Sequence, residues 1–354
     1  MNLDFIPLRF LKPFAQGVVR LPRPLLRLAA GKPTRVDGQE LDLLCQVIAR
    51  HFYIPSELLE SVEATRNDYE RTGTLLGHEP TSPVALRAFK VEGPAGPVPC
   101  ELHRPAQVAE TNAPALIYFH GGGHVTGSLN THRLACRQLA VESDAVVIAV
   151  DYRLAPENKF PAGIEDAIAA YDEIAARADE LGIDPNRIAV GGESAGGNVA
   201  AVIAQHRRDA NPAPRFQLLL VPWLDMSRYS RSYELFESGF HLSKELMDWY
   251  TGHYLPGPED ALNPLASPLL GDVQGVCPAA VLVAGFDPLR DEGLAYAEKL
   301  DASGVPTTLR RFDSLIHPFM NFAGQVPAAR SAFEEVARVL KVGLSKPAHP
   351  HPQV

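Results

Sequence analysis

The sequence predicts an α/β fold built on a mostly parallel sheet with helices on both faces. Three observations predict it. Strand-like runs lie at 114–119, 145–150, 187–191, 216–221, 279–285 and 307–312, and most are nearly continuous in apolar residues, as expected of strands buried on both sides. Segments of helical periodicity separate them, at about 130–142, 162–181, 195–208, 289–303 and 328–343, so the chain returns to the sheet through helices. Of the 354 residues, 46% are apolar and 21% charged, an ordinary composition with ample material for a large core.

Taken in order, residues 1–32 carry Arg9, Lys12, Arg20, Arg23, Arg27 and Lys32 against the single acid Asp4, interleaved with Phe5, Ile6, Leu8, Phe10, Leu11, Phe14, Leu25, Leu26 and Leu28. Two readings are open: a segment packed on its own protein, or one in peripheral contact with a membrane surface or lipid substrate. Asp4, Pro7 and Pro13 interrupt the apolar run, so it does not read as a secretory signal. Residues 38–72 read as helical, with Leu41, Leu43, Leu44, Val47 and Ile48 at helical spacing and a second run opening at Ser56–Glu57. Segments 84–91 and 98–103 read as a hairpin across Gly93–Pro97, which adds an antiparallel edge to the sheet. The interval 226–275 breaks the strand–helix rhythm and is expected to supply a helical piece of a cap. The tail 345–354 has no apolar periodicity and is expected to fray.

Composition narrows the function. The formal net charge of −9, from 33 basic and 42 acidic residues, argues against a nucleic-acid partner. Cys45, Cys100, Cys136 and Cys277 are far apart, which disfavours structural zinc or a disulfide framework and fits a cytoplasmic location, with one disulfide left open. No run reaches the ~18 apolar residues of a membrane span, so no stable membrane insertion is expected.

The strongest chemical signal is Gly192-Glu193-Ser194-Ala195-Gly196, between the strand-like 187–191 and the helical 195–208. A serine on a tight strand-to-helix turn sits in a strained backbone and needs glycine neighbours, and the following helix offers free N–H groups to negative charge. The pentapeptide alone is weak; its setting strengthens it. The second signal is His120-Gly121-Gly122-Gly123, directly after strand 114–119. A phosphate cradle would call for Gly-Lys-Ser/Thr or Gly-x-Gly-x-x-Gly nearby, and neither follows. With Ser194 downstream, an oxyanion hole is the better reading. A serine nucleophile needs a base, and the base an orienting acid. His317 stands after the last strand and before the last helix. Asp287 follows strand 279–285, with Asp291 as the second choice; an aspartate there also suits a plain helix cap. No metal or organic cofactor is called for.

These stretches, with Asp151-Tyr-Arg-Leu-Ala-Pro-Glu, Phe160-Pro-Ala and Asp287-Pro-Leu-Arg-Asp-Glu-Gly, resemble the hormone-sensitive lipase family of α/β-hydrolases, including its bacterial carboxylesterases, over about residues 80–345. The resemblance implies an α/β-hydrolase fold with a mostly parallel eight-stranded sheet and a helical cap. It implies Ser194 as nucleophile, Asp287 as acid and His317 as base, with the N–H groups of Gly122, Gly123 and Ala195 as oxyanion donors. His120 and Gly121 would anchor and shape the glycine loop, and Arg153 would be held by acidic neighbours. Residues 1–75 would form an N-terminal cap segment, 76–345 the catalytic domain with 226–275 contributing to the cap, and 346–354 a flexible tail. Expected substrates are short- to medium-chain esters, and a homodimer is common in such proteins. Amides, acetylated sugars and a non-catalytic small-molecule receptor are the competing readings on this fold. Three positions depart from the usual pattern: Glu193, Pro318 after His317, and His124 after the glycines. Glu193 and His124 are candidates for the substrate pocket; a partly exposed loop histidine is the other reading of His124.

Overall fold

The computed structural model describes residue 13 and residues 16–51, 56–73, 75 and 77–345. Alternation along the central strands decides the architecture. Of strand β3 (Ala113–Phe119), Ala115, Ile117 and Phe119 enter one apolar cluster, while Leu116 and Tyr118 enter another. Strand β4 (Val146–Val150) divides the same way, as does β7 (Ala279–Phe286). Successive side chains point to opposite faces, so each of these strands is apolar on both sides.

The remaining strands are β1 (Val84–Gly93), β2 (Gly96–Pro105), β5 (Ile183–Glu193), β6 (Phe216–Leu220) and β8 (Thr307–Ile316). The eight-stranded sheet has the order β8-β7-β6-β5-β3-β4-β2-β1. The β1–β2 and β2–β4 pairs are antiparallel and all others parallel. Helices α1 (Arg23–Ala30), α2 (Leu43–His51) and α3 (Val62–Thr72) precede it. Helix α4 (Leu129–Ser143) and the C-terminal Pro327–Ser345 helix pack on one face. Helices α5 (Ala162–Ala176), α6 (Ala195–His206) and the Arg290–Ala302 helix pack on the other.

Several boundaries differ from expectation. Residues 38–42 are not helical: Asp37 and Gly38 adopt positive φ, and a short ladder pairs Arg35 with Glu40 and Val36 with Gln39. The expected helix 162–181 is broken at Arg177. Strand β8 runs on to Ile316, past the expected end at 312. Within 226–275, helix α7 (Lys244–Tyr254) is built by Ser243, whose hydroxyl accepts the Leu246 N–H at 3.2 Å, and it buries Leu246, Met247, Tyr250 and Tyr254. The four cysteines are free. No helix among the described residues is long and apolar enough to cross a membrane. The tail 346–354 and most of residues 1–15 lie outside the described residues.

Candidate active site

Four strand ends meet at one edge of the sheet. Strand β3 runs into His120–Gly123, β5 into Ser194, β7 into Asp287 and β8 into His317. The register pairs Phe119 with Gly192 and Ile316 with Phe286. The second pairing sets Asp287 and His317 side by side.

Ser194 has φ 57° and ψ −118°, a strained conformation for a residue with a side chain. Its N–H donates to the Leu220 carbonyl at 2.9 Å, and its own carbonyl accepts from the N–H groups of Asn198 and Trp223, each at 3.1 Å. A Cβ on Gly196 would overlap the Phe119 carbonyl, and one on Gly192 the backbone of Gly196. Both positions are glycine because the elbow presses against β3. Ser194 directly precedes α6, at its positive end.

The glycine loop is held from several sides. Gly122 and Gly123 have φ of 111° and 61°. The Gly122 carbonyl accepts from Val125 at 3.0 Å and Thr126 at 2.8 Å. A Cβ on Gly123 would overlap the ring of Tyr250. The N–H groups of Gly122, Gly123 and Ala195 have no acceptor among the described residues. His120 places Nδ1 2.8 Å from the Gly121 carbonyl and stacks on Tyr152, whose hydroxyl donates to the His120 carbonyl at 2.7 Å. Burial, then the neighbouring His132, pushes His120 down to about 3, so it is a neutral strut. Arg153 donates to both oxygens of Asp166, at 2.7 and 2.8 Å.

Asp287 is fully buried. Its Oδ2 lies 2.9 Å from His317 Nδ1, and its Oδ1 accepts the Leu289 N–H at 2.8 Å. One side chain therefore both caps the next turn and meets the histidine. Asp291 is instead held by Arg290 Nε and the Ser232 N–H, each at 2.8 Å.

Glu193 is the residue whose position the sequence did not disclose. Its Oε1 lies 3.3 Å from His317 Nε2, and its Oε2 lies 3.3 Å from His132 Nε2. The Gly121 N–H approaches that same His132 nitrogen at 3.4 Å, and a Cβ on Gly121 would overlap the Glu193 carboxylate. Burial works against charge on both Glu193 and His317. For Glu193, the contacts with His132 and His317 overcome it and hold the carboxyl well below the usual range. For His317, Asp287 first and Glu193 second overcome it and hold the imidazole above its ordinary value.

Ser194, His317, Glu193, Gly122 and Gly123 line one pocket of about 40 Å³, closed by Tyr69, Leu246 and Tyr250. His124 is not partly exposed as one reading had it. It is buried, stacked on Tyr254 at 4.0 Å, and has no partner for either ring nitrogen among the described residues; burial, then His120, pushes it down to about 3. Tyr69, His132 and Tyr250 had no signal in the sequence, because each reaches the site from a helix with no motif. Among the described residues no group of three His, Cys, Asp or Glu is arranged for a metal ion.

A strained serine between a strand and a helix, a glycine loop with unused N–H groups, and a buried aspartate–histidine pair at neighbouring strand ends define an α/β-hydrolase. A sequence family described as an alpha/beta hydrolase fold matches residues 116–321. "Carboxylic ester hydrolase LipN" of Mycobacterium tuberculosis is 38% identical over 338 residues, 92% of this chain and 89% of that protein. The esterase of Pyrobaculum calidifontis superposes with a TM-score of 0.79 at 37% identity, over 84% of this chain and 96% of its own. The carboxylesterase EstE1 from a metagenomic library gives 0.77 at 41% identity, over 81% and 98%. The chain belongs to this hydrolase family, in its hormone-sensitive-lipase-like branch.

Proposed function

We propose that the chain hydrolyses short- to medium-chain carboxylic esters through a covalent acyl-enzyme on Ser194. Its class, a carboxylic ester hydrolase, is that of its relatives. The observation that carries the mechanism is the buried Asp287–His317 pair, 2.9 Å apart, on the pocket that holds Ser194.

His317 takes the proton of Ser194 as the hydroxyl oxygen attacks the ester carbonyl. Asp287 keeps the Nδ1 proton in place, leaving Nε2 to accept, and stabilises the imidazolium that forms. Glu193, 3.3 Å from Nε2, adds a second negative charge beside that cation. The N–H groups of Gly122, Gly123 and Ala195 receive the oxyanion, each worth about 3 kcal/mol of barrier. His317 then protonates the leaving alcohol, and water repeats the sequence on the acyl-enzyme. The small pocket under Tyr69, Leu246 and Tyr250 favours short acyl groups, and those residues make helices α3 and α7 the roof of the site, consistent with a cap. Arg66 of α3 ties that roof to the loop below, donating to the carbonyls of Val125 at 2.8 Å and Ala155 at 2.7 Å.

The test is hydrolysis of p-nitrophenyl esters of increasing acyl length by the purified chain and by Ser194→Ala, with labelling by a fluorophosphonate. Activity and label on the native chain, both lost in the variant, are expected. An inactive and unlabelled native chain would favour the receptor reading instead.

A further inference from the structure

The net charge of −9 is distributed unevenly. Between Asp4 and Asp37 there is no acid, while Arg9, Lys12, Arg20, Arg23, Arg27, Lys32 and Arg35 all fall there. Arg35 is paired with Glu40 at 2.7 Å, and Asp37 is held by Arg231 and Arg290. Arg20, Arg23, Arg27 and Lys32 are exposed and form no ion pair among the described residues.

Helix α1 is apolar on the wrong side as well as the right one. Leu26 and Ala30 are buried against Val47 of α2. Leu25 and Leu28 turn outward, 48% and 80% exposed, and Leu21 joins them just before the helix. A single surface leucine is ordinary. Leu25 and Leu28, three residues apart, share the outward side of the helix, and Arg20, Arg23 and Arg27 are exposed on the same short segment. The inner end of the same helix opens on a cavity of about 530 Å³, which Ala30 lines with Arg50, Phe240 and His241. His241 also lines the pocket at Ser194.

We infer that the exposed segment carrying Leu21, Leu25 and Leu28 with Arg20, Arg23 and Arg27 docks on an anionic phospholipid surface. Exposed leucines need hydrocarbon, and dispersed arginines need dispersed negative charge; a bilayer of anionic lipid supplies both without a complementary shape. Three leucines are also far short of the roughly 800 Å² per partner that a stable protein interface buries.

The test is co-sedimentation of the full chain with vesicles, and it does not depend on hydrolysis, so it stands apart from the esterase reading. The native chain is expected to sediment with phosphatidylcholine vesicles containing about 30 mol% phosphatidylglycerol, and not with phosphatidylcholine alone or at high salt. Leu25→Ser with Leu28→Ser should lower the partition roughly tenfold. Arg20→Gln, Arg23→Gln and Arg27→Gln together should lower it roughly a hundredfold. Both variants should keep the native melting temperature and the native rate on a water-soluble ester. No binding of the native chain to anionic vesicles overturns the inference. So does equal binding by the variants, or a loss of dimer in the leucine variant with vesicle binding unchanged.

Discussion

Replacing Asp287 with asparagine separates the proposed acid from its neighbour Asp291. The Leu289 N–H donates to Asp287 Oδ1 at 2.8 Å. The amide oxygen introduced by Asp287→Asn therefore stays with Leu289, and the new NH2 group turns toward His317 Nδ1. That nitrogen must then act as acceptor, and the ring proton moves to Nε2, where it blocks uptake of the serine proton. The charge facing the imidazolium is lost as well. In comparable triads this exchange lowers kcat about 10⁴-fold. Here Glu193, 3.3 Å from Nε2, accepts a hydrogen bond from that misplaced proton and helps hold the blocked tautomer, so the expected loss is about 10⁴-fold, or roughly 5.5 kcal/mol of barrier. Asp291→Asn only loosens the contacts with Arg290 and Ser232 and should change kcat less than about threefold. The assay is kcat and KM on p-nitrophenyl acetate, with circular dichroism to verify folding. A larger loss in Asp291→Asn, or a loss under about tenfold in Asp287→Asn, refutes the assignment.

Other outcomes follow from the same geometry. The base must be neutral to act, and His317 is held above its ordinary value by Asp287 and Glu193; kcat/KM should therefore rise with pH through a midpoint above the usual ~6.5 of histidine, and Glu193→Gln should move that midpoint down by about one unit, as a pH–rate profile will read. Gly123→Ala drives a methyl group into the Tyr250 ring at a positive φ, so it should displace an oxyanion donor and lower kcat about 10²- to 10³-fold with little change in KM. Gly196→Ala forces the elbow away from the Phe119 carbonyl and should destabilise the fold by about 3 kcal/mol, measured by thermal melting.

What was legible in the sequence is what strand burial and chain order write into it. Strands apolar on both faces read as continuous runs, so β3, β4 and β7 stood out, and the catalytic candidates sat at strand ends because parallel strands all point their C-terminal ends the same way. Edges were less legible. Strand β8 lies at the sheet margin, where Arg310, Arg311, Asp313 and Ser314 can face water, and its polar stretch hid the last residues before His317. Strand β5 begins at Ile183, ahead of the expected start at 187, because Asp184, Pro185 and Asn186 break the apolar run. Contacts between distant helices left no trace at all: nothing in the spacing of His132, Tyr69 or Tyr250 indicates that they meet around Ser194.

Glu193 shows how much that missing layer matters. The motif makes it a variable position beside the nucleophile, yet its carboxylate spans from His317 to His132 and occupies the space a side chain at Gly121 would need. The charge that steadies the base and the packing that fixes the start of the oxyanion loop are thus properties of one side chain. Removing the carboxylate should disturb both, whereas removing His132 should disturb the loop side first. If the two act through the same carboxylate, their effects on kcat cannot add. A cycle of Glu193→Gln, His132→Ala and the double variant should therefore give a double loss well below the product of the single ones. Multiplicative losses would mean that Glu193 serves the base alone and that Gly121 is glycine for packing unrelated to catalysis.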